Sequence, residues 1–301
     1  MHHEANTASR LRVHAFSLIP LFTVLSLGTV NAASLGPATL SAWEEYVESA
    51  NIQMEQRLGS NKTFLWVDEA PERLARVRAG EVIVSPVGAQ NPRKVPLGLI
   101  HHWVGAVFIP NVSIKDALAV VTDYAHYKEV YRPTVIDSKV IATGDAKDRF
   151  SVLLMNKSFF LKTALDTDYE SCYVRLDDRR GYSVSRTTRI QEIEEYGAPS
   201  ERVLREGEGR GIIWRLFGFT RYVERDGGVY IEIEAIGLSR DIPPSLRWMV
   251  EPVVRRVSRG SILTSLQQTE SAVRLRVELA NSKTGGGGSM ASTSHAVHSS
   301  R

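Results

Sequence analysis

Cysteine is nearly missing from this chain: one residue, Cys172, in 301. No internal disulfide can form, so the fold must be held by an apolar core, which a chain this long can supply. Cys172 lies in a strand-like run, Tyr169–Leu176, with no adjacent His. That setting reads as a small buried residue and not as a nucleophile. An excess of one charge is also lacking. Lys and Arg total 37 against 34 Asp and Glu, for a formal net charge of +3, and no basic face stands out. Nucleic acid is not an expected partner. Catalytic motifs of the GxSxG, HExxH or paired-Cys kind are absent from the sequence. Gly207, Gly209 and Gly211 are not followed by a strand-to-helix passage, which argues against a phosphate loop. In His101-His102-Trp103, neighbouring strand residues point to opposite faces, so the two His cannot share a metal. Neither a metal nor a cofactor is expected.

Long apolar runs are missing too, except at the start. Arg10 and Arg12 precede the uncharged stretch Ala15–Val30, and Val30-Asn31-Ala32 has the small residues of a cleavage site. This pattern predicts a secretory signal peptide over residues 1–32 and a periplasmic or secreted protein. The run is shorter than the roughly 20 residues that span a bilayer. Without Arg10, Arg12 and Glu4 the net charge falls to about +2. At the other end, the GGGGS of Gly285–Ser289 and the Ser/His/Ala residues after it predict a flexible tail over 282–301. His295 and His298 are isolated there.

What is present is a pattern of alternating elements. Hydrophobic residues make up 43% and charged residues 24%, which suits one globular domain with extensions. Trp43, Tyr46, Val47, Ala50, Met54 and Leu58 recur at helical steps, predicting a helix over Ser41–Leu58 with Ser41 and Glu44 as a capping box. A short helix follows at Pro71–Ala79. These elements form an extension over 33–97 that packs on the flank of the main domain. An exposed apolar patch at Trp43, Tyr46 and Met54 would make that extension a contact for another envelope protein. Strand patterns cover Glu81–Val87 and Gly98–Ile109. Ser113 caps a helix bearing Ala117, Leu118, Val120, Val121 and Tyr124. Four strands follow: Thr134–Ala142, Arg149–Met155, Ala164–Leu176 and Tyr182–Ile193, at spacings that favour antiparallel hairpins. A last hairpin, Ile212–Arg225 with Gly228–Ser239, leads into a long helical pattern ending near Leu279. The order predicts an α+β domain with helices on one face of a curved antiparallel sheet.

With Asp226-Gly227 as a two-residue turn, Arg225 pairs with Gly228, Tyr222 with Ile231, Thr220 with Ile233, Gly218 with Ala235 and Leu216 with Gly237. Trp214 then falls opposite Ser239. This side is apolar and bare in the middle, and should face the long helix. The other side places Arg221 opposite Glu232 and Phe219 opposite Glu234, which reads as a solvated face. Small residues on a core-facing surface predict a missing volume that a ligand fills, or that a bulky helix residue such as Trp248 occupies instead. On the helix, Val257 and Gly260 fall where they would close it, and Pro252 should kink the helix or mark where it becomes regular. His102 and an inward Arg186, with Asp166 or Asp168 as its partner, are the polar candidates to meet a ligand headgroup.

Particular words of the sequence carry a family resemblance. Asp123-Tyr124-Ala125-His126-Tyr127, then Tyr131-Arg132-Pro133 and Val135-Ile136-Asp137-Ser138-Lys139-Val140, resembles the helix-to-strand passage of START-like proteins, the polyketide-cyclase and lipid-transport superfamily. Glu232–Ile242 followed by Pro243 is similar to that family's last strand and gripping helix. The resemblance spans about Gly98 to Leu279 and implies a helix-grip fold over 98–281. It also implies a hydrophobic ligand, a lipid above all, between sheet and C-terminal helix, and it allows a transient membrane contact. The superfamily has no universal catalytic motif. The alternative it carries is a cyclase- or aromatase-like enzyme with polar pocket residues as acid or base. No feature of the sequence specifies an oligomeric state.

Overall fold

A computed structural model describes residues 35–59, 62–156 and 163–285. The expected signal peptide and most of the expected tail lie outside them. Five α-helices are α1 (Pro37–Leu58), α2 (Pro71–Arg78), α3 (Ile114–Val121), α4 (Tyr127–Val130) and α5 (Pro244–Gly285). The strands are β1 (Ile83–Pro86), β2 (Arg93–Val95), β3 (Gly98–Pro110), β4 (Val135–Ala142) and β5 (Asp148–Asn156). They continue as β6 (Thr163–Arg175), β7 (Arg180–Glu194), β8 (Arg202–Val203), β9 (Arg215–Arg225) and β10 (Gly228–Arg240). Short 3-10 turns occupy Trp66–Glu69 and Tyr124–His126.

All ten strands join one antiparallel sheet in the order β1-β3-β10-β9-β7-β6-β5-β4, with β2 on β3 and β8 on β7. The closing hairpin has the register read from its turn: Arg225 with Gly228, Tyr222 with Ile231, Thr220 with Ile233, Gly218 with Ala235 and Leu216 with Gly237. Asp226 and Gly227 have φ of 56° and 77°, the left-handed pair that a two-residue turn needs to match the twist of its strands. A long helix lying on an antiparallel sheet, with strand and short helix before it, is the helix-grip α+β architecture.

Local chemistry sets the helix starts. Ser113 and Asp116 form a reciprocal capping box on α3, with Asp116 N donating to Ser113 Oγ at 3.2 Å and Ser113 N to Asp116 Oδ2 at 2.9 Å. The box expected at Ser41 does not form. Helix α1 begins four residues earlier, at Pro37, whose missing N–H costs nothing in a first turn, and Ser41 Oγ instead donates to Glu45 Oε1. Helix α5 runs through Pro252 and on to Gly285, into the stretch expected as tail.

The sheet is covered on both faces, not one. Helices α3 and α5 lie on the inner face, where Ala117, Val120, Leu266 and Val273 pack with Val107, Ile109, Tyr222 and Ile231. The N-terminal extension covers the outer face. Trp43, Val47, Ala50 and Met54 pack on Ile100, Phe217, Phe219, Ile236 and Leu238, and Leu65, Val67 and Val77 on Ile83, Ala106, Phe108 and Tyr230. Trp43 and Met54 are buried, so neither offers an apolar patch to a partner. On β3, a side chain at Gly105 would meet Ile262 Cγ2 and Leu266 Cδ1 at 2.9 Å, so α5 rests directly on that strand.

Candidate ligand-binding cavity

Between the inner face and α5 lies a cavity of about 500 Å³. Period-two alternation builds its sheet wall: Phe150, Val152 and Leu154 from β5, Tyr169, Ser171 and Tyr173 from β6, Ser183 and Ser185 from β7, Thr220 and Tyr222 from β9, and Ile231 and Ile233 from β10. Helix α3 and the turn after it add Leu118, Val121, Thr122, Tyr124, Tyr127 and Tyr131, and Thr134 and Val135 follow. The roof is α5, through Val257, Gly260, Ser261, Thr264, Ser265, Gln268 and Thr269. None of the described residues lining the cavity is charged.

Aromatic rings order one wall. Phe150 stacks between Tyr124 at 4.0 Å and Tyr169 at 5.1 Å, with interplanar angles of 8° and 6°. Tyr127 meets Tyr131 edge-on at 4.9 Å, and its hydroxyl donates to Val121 O at 2.5 Å. Tyr131 Oη lies 3.1 Å from Thr269 Oγ1, tying the wall to the roof. Burial pushes the Tyr124 and Tyr169 hydroxyls up to about 12 and raises Tyr127, Tyr131 and Tyr222 as well. At neutral pH these phenols are uncharged hydrogen-bonding groups, neither anions nor effective bases. The arrangement can hold an apolar body and hydrogen-bond neutral oxygens at many points on its rim.

Of the residues singled out in the sequence, Thr220, Tyr222, Ile233, Val257 and Gly260 come together in this cavity. A Cβ added at Gly260 would meet nothing within 4 Å, because it projects into the empty space. Leu216, Gly218, Ala235 and Gly237 share the inner face but lie beyond the lining, half-buried. Trp214 does not join them. It precedes β9 and turns into the outer core with Trp43 and Phe217.

His102 is also on the outer face. Its Nε2 lies 2.9 Å from Glu234 Oε1 and its Nδ1 3.0 Å from Tyr46 Oη. The inward histidine is His101, one residue earlier, paired with Ser239 Oγ at 2.9 Å and pushed down to about 4, chiefly by burial and next by Arg255. Arg186 points away from the cavity and forms an exposed ion pair with Glu170 at 3.0 Å. The carboxylates expected for it, Asp166 and Asp168, belong to Arg189 at 2.9 and 2.7 Å.

The face read as solvated is sealed. Arg221 is 1% exposed and Glu232 0%. Arg221 bonds Glu232 Oε1 at 2.7 Å and also Glu234, while Glu232 accepts from the backbone N–H of Trp66 and Val67 at 3.0 and 3.2 Å. Burial would raise Glu234, but His102 and Arg221 outweigh it and hold the carboxyl down to about 2. The glycine-rich run wraps a carboxylate of its own chain: Arg210 N and Ile212 N donate to buried Glu192. Gly209, at φ 98°, sits where a Cβ would fall 2.5 Å from Glu192 Oε2.

The tyrosines of β6 were the main residues missed. Asp166, Asp168 and Glu170 alternate with Leu165, Thr167, Tyr169, Ser171 and Tyr173, and that charge alternation marks Tyr169, Ser171 and Tyr173 as inward.

No family model and no curated protein sequence matches the chain. Among solved structures it is similar to a STAR-related lipid transfer protein fragment from Xanthomonas axonopodis, at 17% identity over 64% of this chain and 98% of that one, with a TM-score of 0.41. It is also similar to the Zhui aromatase/cyclase from Streptomyces sp. R1128, at 13% identity over 60% and 98% of the two chains and a TM-score of 0.40. For human STARD10 the figures are 10% identity, 76% and 89% coverage, and a TM-score of 0.42. The helix-grip architecture follows from this chain's own strand order and closing helix.

Proposed function

We propose that this protein binds an uncharged hydrophobic small molecule carrying hydroxyl or carbonyl oxygens, a neutral lipid in the first instance. The observation that carries this reading is the charge-free lining of the cavity between sheet and α5. At interior packing density of about 0.74, its 500 Å³ takes a ligand of about 370 Å³ van der Waals volume. That suits one acyl chain or a compact ring system better than a two-chain lipid with its headgroup. A bound anion would lose its water without gaining a cation, which disfavours carboxylates and phosphates in this space. Holding is favoured over turnover because the cavity offers only neutral phenols, hydroxyls and one amide, none poised as an acid or base near pH 7.

Uptake of a fluorescent monoacylglycerol, compared with the fatty acid bearing the same label, tests the reading. The neutral probe should bind at least about tenfold more tightly, since one unpaired buried charge costs more than that ratio. Equal affinity for both, or no uptake of either, would overturn it. Export is a second part of the proposal, resting on the Ala15–Val30 run and its cleavage motif. N-terminal sequencing of protein from the native envelope should begin after Ala32 or Ala33, and retention of Met1 would refute it.

A further inference from the structure

The first turns of α5 carry an unusual outward ridge. Trp248 is 79% exposed, Met249 51% and Leu246 40%. Pro252, Arg255, Arg256 and Arg259 lie four, seven, eight and eleven residues after Trp248, so they share its side of the helix, and all are exposed. Trp248 with Met249 next to it leaves more apolar surface in water than the single scattered side chains normal on a folded surface.

The charges around it are mostly positive. Arg255 pairs with Glu251 at 2.8 Å and Arg247 with Asp241 at 3.3 Å. Among the described residues, Arg256 and Arg259 have no carboxylate within ion-pair distance, and Glu251 is the only acid between Pro244 and Gly260. An indole and a thioether set among unpaired guanidiniums on a convex helix is the composition that lies in the headgroup region of an anionic bilayer. No described helix is long and apolar enough to cross a membrane, so such a contact is made from the surface.

The ridge and the cavity lining lie on opposite sides of α5. Val257, which lines the cavity, is nine residues from Trp248, about two and a half turns, so it faces the other way. We propose that the face of α5 bearing Trp248, Arg255, Arg256 and Arg259 docks on an anionic lipid surface, the cavity side of the helix facing away from it. Docking stands whatever fills the cavity.

Co-sedimentation with phosphatidylcholine vesicles, with and without phosphatidylglycerol, tests the docking. The protein should bind the anionic vesicles, and less as salt rises. Arg256→Glu with Arg259→Glu should weaken that binding by at least about thirty-fold, and Trp248→Ala by about tenfold. These side chains are exposed and outside the cavity lining, so uptake of the neutral fluorescent probe in solution should stay unchanged in both variants. Binding to anionic vesicles that neither variant weakens overturns the proposal, as does equal binding to phosphatidylcholine alone. Sedimentation velocity gives a further check: a dimer in the parent protein that Trp248→Ala abolishes would assign the ridge to a second copy and overturn it as well. Loss of probe uptake in the parent protein, with vesicle binding intact, would remove the ligand reading and leave docking in place.

Discussion

The two faces of this sheet use polar residues in opposite ways. On the outer face, four ionisable groups, Arg221, Glu232, Glu234 and His102, are closed under α1 and the Trp66–Glu69 turn with no space between them. On the inner face, hydroxyls and phenols without a single charge surround about 500 Å³ of empty volume. Charge is tolerated where every lone pair and proton has a partner, and emptiness where the walls can stay neutral. The strongest electrostatics therefore mark the structural side of the molecule, and the weakest mark the side that can receive something.

Breaking the outer face should have the largest effect. Arg221→Met leaves two buried carboxylates facing each other without their cation, and stability should fall by about 3–5 kcal/mol in urea unfolding. Probe uptake by the fraction that stays folded should be unaffected. A loss below about 1 kcal/mol would mean that the network is solvated after all.

Acid should separate the two faces by pH. The folded protein keeps His101 neutral down to about 4, below its ordinary 6.5, so the unfolded chain binds the extra proton between those values and stability falls as pH drops through that window. Glu234 is held at about 2 against 4.5, so its contribution is intact above 4.5 and is lost between 4.5 and 2. Each window is worth about 3 kcal/mol at most. His101→Gln should flatten the upper window of a stability-against-pH curve and leave the lower one. A flat curve from pH 6.5 to 4 in the parent protein would contradict the inner assignment.

The smallest change in stability should come from filling the cavity. Gly260→Leu replaces a poor helix former, and its side chain enters open space, so thermal unfolding should show a gain of about 0.5–1 kcal/mol. Uptake of the neutral probe should fall sharply in the same variant. Greater stability with less binding would identify Gly260 as a residue kept small for the ligand's sake.

Local rules made much of the fold legible. The turn chemistry of Asp226-Gly227 was enough to place the closing hairpin in register from Arg225 back to Arg215, and Ser113 marked the start of α3. Face assignment succeeded for Thr220, Tyr222 and Ile233 because apolar alternation there is unambiguous. It also placed Arg221 and Glu232 opposite each other on the outer face; what failed was their exposure, since a cross-strand charge pair looks the same in water as under a helix that arrives from more than 150 residues away. Trp214 escaped because alternation stops where β9 stops. The two histidines were exchanged for a simpler reason: one step along a strand reverses the face, and nothing local to His101-His102 says which of them meets α5. The tyrosine wall could have been read from β6, whose acids alternate with its aromatics.

Gly105 touches no part of the cavity, yet it governs the cavity's depth. Ile262 and Leu266 sit directly on its bare backbone, so the clearance between roof and floor is set by a side chain that is not there. One methyl group at that point would press on Ile262, Leu266 and Val84, so their side chains, or α5 above them, must give way. If the cavity holds the proposed ligand, the size it admits would be adjustable from a strand position outside the lining.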